Sequence, residues 1–428
     1  MAGVREGDSR GGGLTLADRA RRLIPMGVNT SSKAACRFAE GFGPTHVVSG
    51  HGAEVMTSDG RTLIDWAMGL GPVLLGHGDQ DVRAAVAEAA NYGVSHTLPT
   101  RYEVEVAEVL NRWVPGADMV RFLKTGSDAC AAAVRLARAF TRRDKIVRCG
   151  YHGWHDWAMN SDYEEKLGIP QAVRDLTVSV PFNDHEAVQE AIEGGGVAAV
   201  ILEPVSLVPP DSHYLWRLRH LCNTHEVVLI FDEVITGIRM GRGGAAGYFG
   251  VTPDLTCLGK GLANGFPLAA VTGRVGIMRC FEDTHISGTY NGETSALAAC
   301  LATLRKLDSH DFWSHQRKVG LSLRHGYERA VDEYKLSTHT KILGMPHFTS
   351  VQWPDPVLFT LFQQEMIREG ILFSGSQFPS LAHTDEQVRK TRDAYYAACQ
   401  RVAEAIETNT VQQRLECRVN RSIFTRHR

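Results

Sequence analysis

No C-x-x-C pair occurs among the nine cysteines, an odd count scattered along 428 residues, so neither a disulfide framework nor a structural zinc site is indicated. No segment approaches the roughly 18 consecutive apolar residues that span a bilayer. The opening MAGVREGDSRGGG has no apolar core behind its charges, and Arg21-Arg22 run into Leu23-Ile24-Pro25 instead of a signal sequence. These absences lead us to expect a soluble protein of the reducing cytoplasm. Charge of one sign is also missing. A formal net charge of −2, with no long basic run, gives no pull toward nucleic acid or an anionic membrane. The cluster Arg19, Arg21 and Arg22 reads as the solvated face of a helix.

What is present is an ordinary globular balance: 43% hydrophobic and 22% charged residues suffice for a sizeable core, and this length predicts two domains. A Gly-rich lead-in over 7–13 precedes a helix expected near 14–24. From about residue 53 the text becomes strand-like, with a turn at Asp59-Gly60, and then helical through DVRAAVAEAANYGV and RYEVEVAEVLNRWV. Short apolar β-branched runs then alternate with amphipathic helices: MVRFL, SDACAAAVRLARAFTRR, KIVRC, VAAVIL, SHYLWRLRHLCNTHE, VVLIFDE, LTCL and PLAAVTG. That alternation predicts a mainly parallel sheet covered on both faces. Two long helices follow Asn291, and then a smaller α+β unit with HFTSVQW as a strand. The tail from about 408 shows no period.

Four places carry chemistry. Lys260 lies between Gly259 and Gly261, whose lack of Cβ lets a ligand approach the backbone; in isolation such a lysine reads as an ordinary loop residue. Asp232 ends the strand Val227–Phe231, putting its carboxylate at the carboxyl edge of a sheet, where α/β proteins place ligands, although it could equally cap a turn. An ionised Asp232 there could keep a pyridine nitrogen protonated. Lys124-Thr125-Gly126-Ser127-Asp128 follows a strand and opens a helix, so its N–H groups and hydroxyls attract phosphate, or else Ser127 or Asp128 simply caps the helix. Tyr151-His152-Gly153-Trp154-His155-Asp156 ends a strand in an aromatic turn on which a flat cofactor could stack. Its His-x-x-His-Asp spacing is weak as a metal signal, and no metal is expected.

In this order, these elements resemble the class III aminotransferases, enzymes of pyridoxal-5′-phosphate (PLP) fold type I, and among them the glutamate-1-semialdehyde aminomutase branch. The resemblance spans about Asn29 to Ile406. It includes Gly27-Val28-Asn29, Gly71–His77, Thr125–Asp128, Tyr151-His152-Gly153, Glu203-Pro204, Asp232-Glu233-Val234, Lys260, Gly288-Thr289 and Ser380-Leu381-Ala382-His383. It implies an α/β fold with an N-terminal arm and helix over 1–52 packed on the small domain, a large PLP-binding domain over 53–305, and a small α+β domain over 306–428. It implies that Lys260 forms the Schiff base with PLP and later acts as general base, and that Asp232 pairs with the ring nitrogen. Tyr151 and Val234 would take the two ring faces, Thr125, Gly126 and Ser127 the phosphate, with His152 and Glu203 beside the ring. Thr289 would reach the phosphate of a neighbouring subunit in a homodimer.

The sequence departs from that pattern on the substrate side. Lys33 stands where the aminomutases carry an arginine, exchanging a bidentate fork for a point charge. Gly375 replaces a glutamate, Leu70 an aromatic residue, and Gly292-Glu293-Thr294 the usual Gly-Asn-Pro. The lid region between Trp157 and Pro181 carries Asp162, Glu164, Glu165 and Lys166. These differences argue for transamination between a donor amine and another carbonyl compound, a sugar or secondary-metabolite intermediate, over glutamate-1-semialdehyde isomerisation. A 2,1-aminomutase or an epimerase would use the same Lys260 and Asp232. A nucleotide-binding protein is the distant alternative, because Phe231-Asp232-Glu233 looks like a Walker B acid. No G-x-x-x-x-G-K-[ST] accompanies it.

Overall fold

The computed structural model describes residues 14–159 and 168–421; Asp162, Glu164, Glu165, Lys166 and the Gly-rich lead-in lie outside the described residues. The helix Leu16–Leu23 opens with a capping box between Thr15 and Asp18, as the polar residue ahead of its apolar positions requires. Strands β1 (Val47–His51), β2 (Glu54–Thr57) and β3 (Thr62–Asp65) then form an antiparallel ladder whose second turn is closed by Thr57, Asp59 and Arg61.

Strands β4 (Met119–Leu123), β5 (Lys145–Cys149), β6 (Thr177–Ser179), β7 (Val197–Leu202), β8 (Val228–Glu233), β9 (Leu255–Leu258) and β10 (Ala269–Gly273) make one sheet in the order β4-β10-β9-β8-β7-β5-β6. β10 runs antiparallel to both of its neighbours, and the other pairs are parallel. Every residue of β7 through β10 is buried, as expected for strands covered on both faces. The helix Gly126–Thr141 covers one face through Ala129, Ala133, Leu136 and Ala137, and Leu215, Leu218 and Cys222 of the helix Tyr214–Thr224 cover the other. Small alanines on the first helix let it lie close to the sheet.

A second core forms around the helices Phe312–Glu333, Pro356–Arg368 and Asp385–Glu407. They pack on β11 (Lys341–Met345) and β12 (Phe348–Gln352), while β13 (Ile371–Leu372) pairs in parallel with β3 and β14 (Ser376–Gln377) with β12. Ile64 and Trp66 sit in this second core, and the Trp66 indole donates to Thr391 Oγ1 at 2.9 Å. The β2–β3 hairpin thus reaches the C-terminal unit through β3, which pairs with β13 and places Ile64 in the second core. The period of the two strands was legible, but the partner of β3, β13, is only two residues long and lies some 300 positions away.

The tail after 408, aperiodic in sequence, has a definite place. Asn420 accepts from the Ala39 N–H and donates to Gln363, while Arg418 and Arg421 pair by backbone with Glu40 and Cys36. It straps the segment 36–40 against the helix Pro356–Arg368.

Candidate active site

Four parallel strands and β4 end at one edge of the large sheet, and each delivers a residue singled out above: Thr125–Ser127 after β4, Tyr151 and His152 after β5, Glu203 after β7, Asp232 within the end of β8, and Lys260 after β9. They line one cavity of about 380 Å³, together with Gly126, Val234, Lys124, Cys130, Pro72, Ile235 and the segment 265–268. Nine of the ten expected site residues thus converge. Thr289 does not: it is exposed and lines a separate cavity with His155, His285, Tyr290 and Asn291. Lys33, Leu70 and Gly375 are also absent from the wall of the Lys260 cavity.

Asp232 is the electrostatic centre. Its Oδ2 accepts from His152 Nδ1 at 2.8 Å, and its Oδ1 from the Val234 N–H at 3.1 Å. His152 Nε2 faces the Cys149 carbonyl at 3.1 Å, so both ring nitrogens lie within hydrogen-bond distance of an oxygen and the ring is held at two points. Trp157 lies parallel to that ring at 6.3 Å. His152 and Asp232 are 2% and 6% exposed, so their contact lies in a poorly screened environment.

Lys260 stands in a short 3-10 turn with a left-handed φ of 41°. Burial pushes its ammonium pKa down, against the opposing fields of Glu203 and Asp232, and Arg239 adds to the depression. Its flanking glycines serve packing, which corrects the ligand-approach argument. A Cβ on Gly261 would lie 2.8 Å from Leu74 Cδ1, and one on Gly259 3.3 Å from Val234. Burial, then Asp232, raises the Glu203 pKa, while His152 and Lys260 oppose the rise.

The phosphate turn also differs in detail. Thr125 is the N-cap: its hydroxyl donates to Asp128 Oδ2 at 2.7 Å and its N–H to the same oxygen at 3.0 Å. Both donors are spent on a capping box, which leaves the N–H groups of Gly126 and Ser127 at the helix start for an anion. Gly126 has no room for a side chain, because a Cβ would meet both γ-methyls of Val234 at 2.8 Å. At Gly153, where φ is +99°, a Cβ would lie 2.2 Å from Ser127 Oγ.

Sequence reasoning missed Cys130 and gave Lys124, at the edge of the phosphate segment, no role of its own. Cys130 follows Gly126 by one helical turn, so helical spacing was the available signal; hydrogen bonding to Cys257, then burial, raises its thiol pKa. Cys130, His152 and Asp232 bring ligand-type atoms within 4.8 Å of one another. A thiol held protonated is a poor metal ligand, and the His152 ring is already engaged by Asp232 and the Cys149 carbonyl; His155 instead faces Asp128 at 3.6 Å. Lys124 Nζ pairs with Glu293 Oε2 at 3.0 Å, and Glu293 also caps the helix Thr294–Ser309 through the Ser295 and Ala296 N–H groups. The Gly-Glu-Thr variant therefore has a structural reason: an acid that is cap and ion-pair partner at once.

A wall lysine, a buried carboxylate braced by a histidine, two open amides at a helix start and a glycine pressed against Val234 match the functional groups of PLP: aldehyde, pyridinium, phosphate and ring face. The aminotransferase class-III family description matches residues 39–399. A glutamate-1-semialdehyde 2,1-aminomutase of Roseiflexus castenholzii is 35% identical, covering 88% of this chain and 94% of that protein. One of Halobacterium salinarum is 40% identical over 74% of this chain and 75% of its own length. Among solved structures, an omega-transaminase from Sphaerobacter thermophilus superposes with a TM-score of 0.82 at 29% identity, covering 90% of this chain and 97% of that one. A glutamate-1-semialdehyde aminomutase from Pseudomonas aeruginosa shares the fold, with a TM-score of 0.81 at 24% identity over 91% and 94%. The chain belongs to the class III aminotransferases, enzymes of PLP fold type I.

Proposed function

We propose that this enzyme transfers an amino group from a donor amine to a carbonyl acceptor, with Lys260 as the Schiff-base residue and proton carrier. The observation that carries the reading is the convergence of Lys260, Asp232 and the amides of Gly126 and Ser127 on one cavity. When bound, PLP supplies the electron sink that stabilises negative charge on the donor carbon. Asp232, fixed by His152 and the Val234 N–H, would present its carboxylate to the ring nitrogen. The low dielectric that depresses the Lys260 pKa enlarges its neutral fraction, so its Nζ can take a proton from the donor carbon and deliver it onward. Tyr151 and Val234 would flank the ring, and the Gly126 and Ser127 N–H groups would hold the phosphate.

The acceptor proposal rests on the substrate side. Gly375 has a φ of +87°, a conformation that L side chains rarely adopt, so this backbone is unsuited to the glutamate that the aminomutases carry. A second reading, 2,1-aminomutase, is favoured by the names of the relatives. A single turnover separates the two: a donor amine that leaves pyridoxamine phosphate on the protein and releases a carbonyl product supports transfer, whereas isomerised amine without release supports the mutase. Efficient conversion of glutamate-1-semialdehyde with keto-sugars left untouched would end the sugar proposal.

A homodimer belongs to the same proposal. Thr289 and Tyr290 are exposed, and so are Tyr92, Leu98 and Val104, which are 78%, 77% and 60% exposed. Thr294 joins the two segments through the Gly93 and Val94 carbonyls. Sedimentation of the wild type and of Leu98→Asp with Val104→Asp tests it; a wild type that sediments as a monomer would end it. The nine cysteines are free, and no helix among the described residues is long and apolar enough to cross a membrane. The free thiols support a cytoplasmic site.

A further inference from the structure

Arg239 is a fully buried guanidinium, 2% exposed, for which no part in the chemistry has been assigned. Its Nη2 donates to the Gly71 carbonyl at 2.7 Å, and its Nη1 to the carbonyls of Pro379 at 3.2 Å and His347 at 3.4 Å. The guanidinium lies 5.1 Å from the centre of the Phe378 ring, which stacks on Phe348 at 4.4 Å. Among the described residues it forms no ion pair. An uncompensated buried charge opposes burial, so its retention calls for a task.

The turn that receives its shortest hydrogen bond supplies that task. Met68, Gly69, Leu70 and Gly71 have φ values of 45°, 68°, 79° and 96°, four successive residues in the left-handed region. Met68 and Leu70 have side chains that disfavour that conformation. Asp65 Oδ1 holds the front of the turn through the Ala67 and Met68 N–H groups. Arg239 holds its exit, at the residue before Pro72, which lines the Lys260 cavity. Arg239 follows β8 by six positions, so the clamp is anchored on the strand that carries Asp232.

We infer that Arg239 is a positioning residue for the reaction: by clamping the Met68–Gly71 turn to the strand of Asp232, it sets where Pro72 and the substrate-side wall stand relative to Lys260. This rests on the reading of the cavity as the amino-transfer site. Strain at a turn persists only where the surroundings over-determine it, and three carbonyls from three segments supply that determination here. Lysine cannot reproduce it, since one ammonium lacks the planar fork that reaches Gly71 and Pro379 together.

Two probes read the wall without knowledge of the substrate. Hydroxylamine and O-benzylhydroxylamine both discharge the visible absorbance of a PLP–lysine imine, and only the second must pass the wall. The ratio of their rates is measured in PLP-loaded wild type, Arg239→Met and Arg239→Lys, beside melting temperatures. We expect the ratio to shift by about tenfold in Arg239→Met, the scale of a misplacement well under 1 Å, with Arg239→Lys in between. A ratio within about twofold of wild type in folded Arg239→Met overturns the inference, since simple destabilisation lowers the melting temperature and leaves the ratio alone. If Arg239→Met does not fold, the Arg239→Lys ratio decides by the same threshold. A wild type that gains no visible band with PLP refutes the proposed function instead.

Discussion

Replacing Gly126 with alanine tests the cofactor cradle most directly. Gly126 is the first residue of its helix and is not in the left-handed region, so alanine meets no backbone objection. The objection is space. The new methyl would stand 2.8 Å from both Val234 γ-methyls and 3.4 Å from its Cβ, a squeeze that side-chain rotation cannot relieve because both branches are affected. Relief requires Val234 to move into the cavity or the helix start to withdraw from it. Overpacking of one methyl costs about 1–3 kcal/mol. Because both escape routes move groups that face the ligand, that cost falls largely on PLP binding, an affinity loss of roughly 5- to 150-fold. The assay is titration of apoprotein with PLP, followed by visible absorbance, with thermal melting of both apoproteins as control. Affinity within about twofold of wild type at an unchanged apo melting temperature would refute the argument, since the methyl would then have found space that the packing denies. Gly153→Ala should be worse, because it adds a left-handed φ to a 2.2 Å approach to Ser127 Oγ.

Lys260→Ala should still bind PLP but lose the imine band and slow the amino-transfer half-reaction roughly 10²- to 10⁴-fold, with partial rescue by added methylamine; stopped-flow absorbance checks this. Glu233, buried, receives only donors, from Ala245, Ala246 and Thr236, so Glu233→Gln turns an amide against a donor and should cost about 1–3 kcal/mol in denaturant unfolding. Burial pushes the Glu233 pKa up from its ordinary 4.5 to about 7 despite those bonds. The folded state thus binds that proton more tightly, and its contribution to stability, full below pH 4.5, is lost as the pH rises through 7; the variant should lack that slope. His347 and His383 run the other way, since burial lowers both from 6.5 to about 3. Their stabilisation is present above pH 6.5 and lost as the pH falls, about 2 kcal/mol each by pH 5, so melting temperatures from pH 8 to 5 should drop less in His347→Gln.

The sequence by itself determined the parts whose cause is local. Alternation of apolar runs and amphipathic helices predicted the covered parallel sheet, and the residues just after β4, β5, β7, β8 and β9 had to emerge at one edge because parallel strands share a direction. Lys260, Asp232, Thr125–Ser127 and Tyr151 were legible for that reason, and His152 and Glu203 through the resemblance to the class III aminotransferases. Only the tertiary structure decided what depends on partners far along the chain. β3 met the C-terminal unit because two residues of β13 pair with it, and the aperiodic tail found its place through Asn420 and Gln363. Thr125 spent its hydroxyl on Asp128, Glu293 acquired Lys124, and the glycines beside Lys260 turned out to face Leu74 and Val234 instead of a ligand. Arg239 is the clearest case. In the sequence it is one arginine in a Gly-rich stretch, and its meaning lies in three carbonyls brought from residues 71, 347 and 379, because a hydrogen bond depends on distance in space and composition carries no record of it.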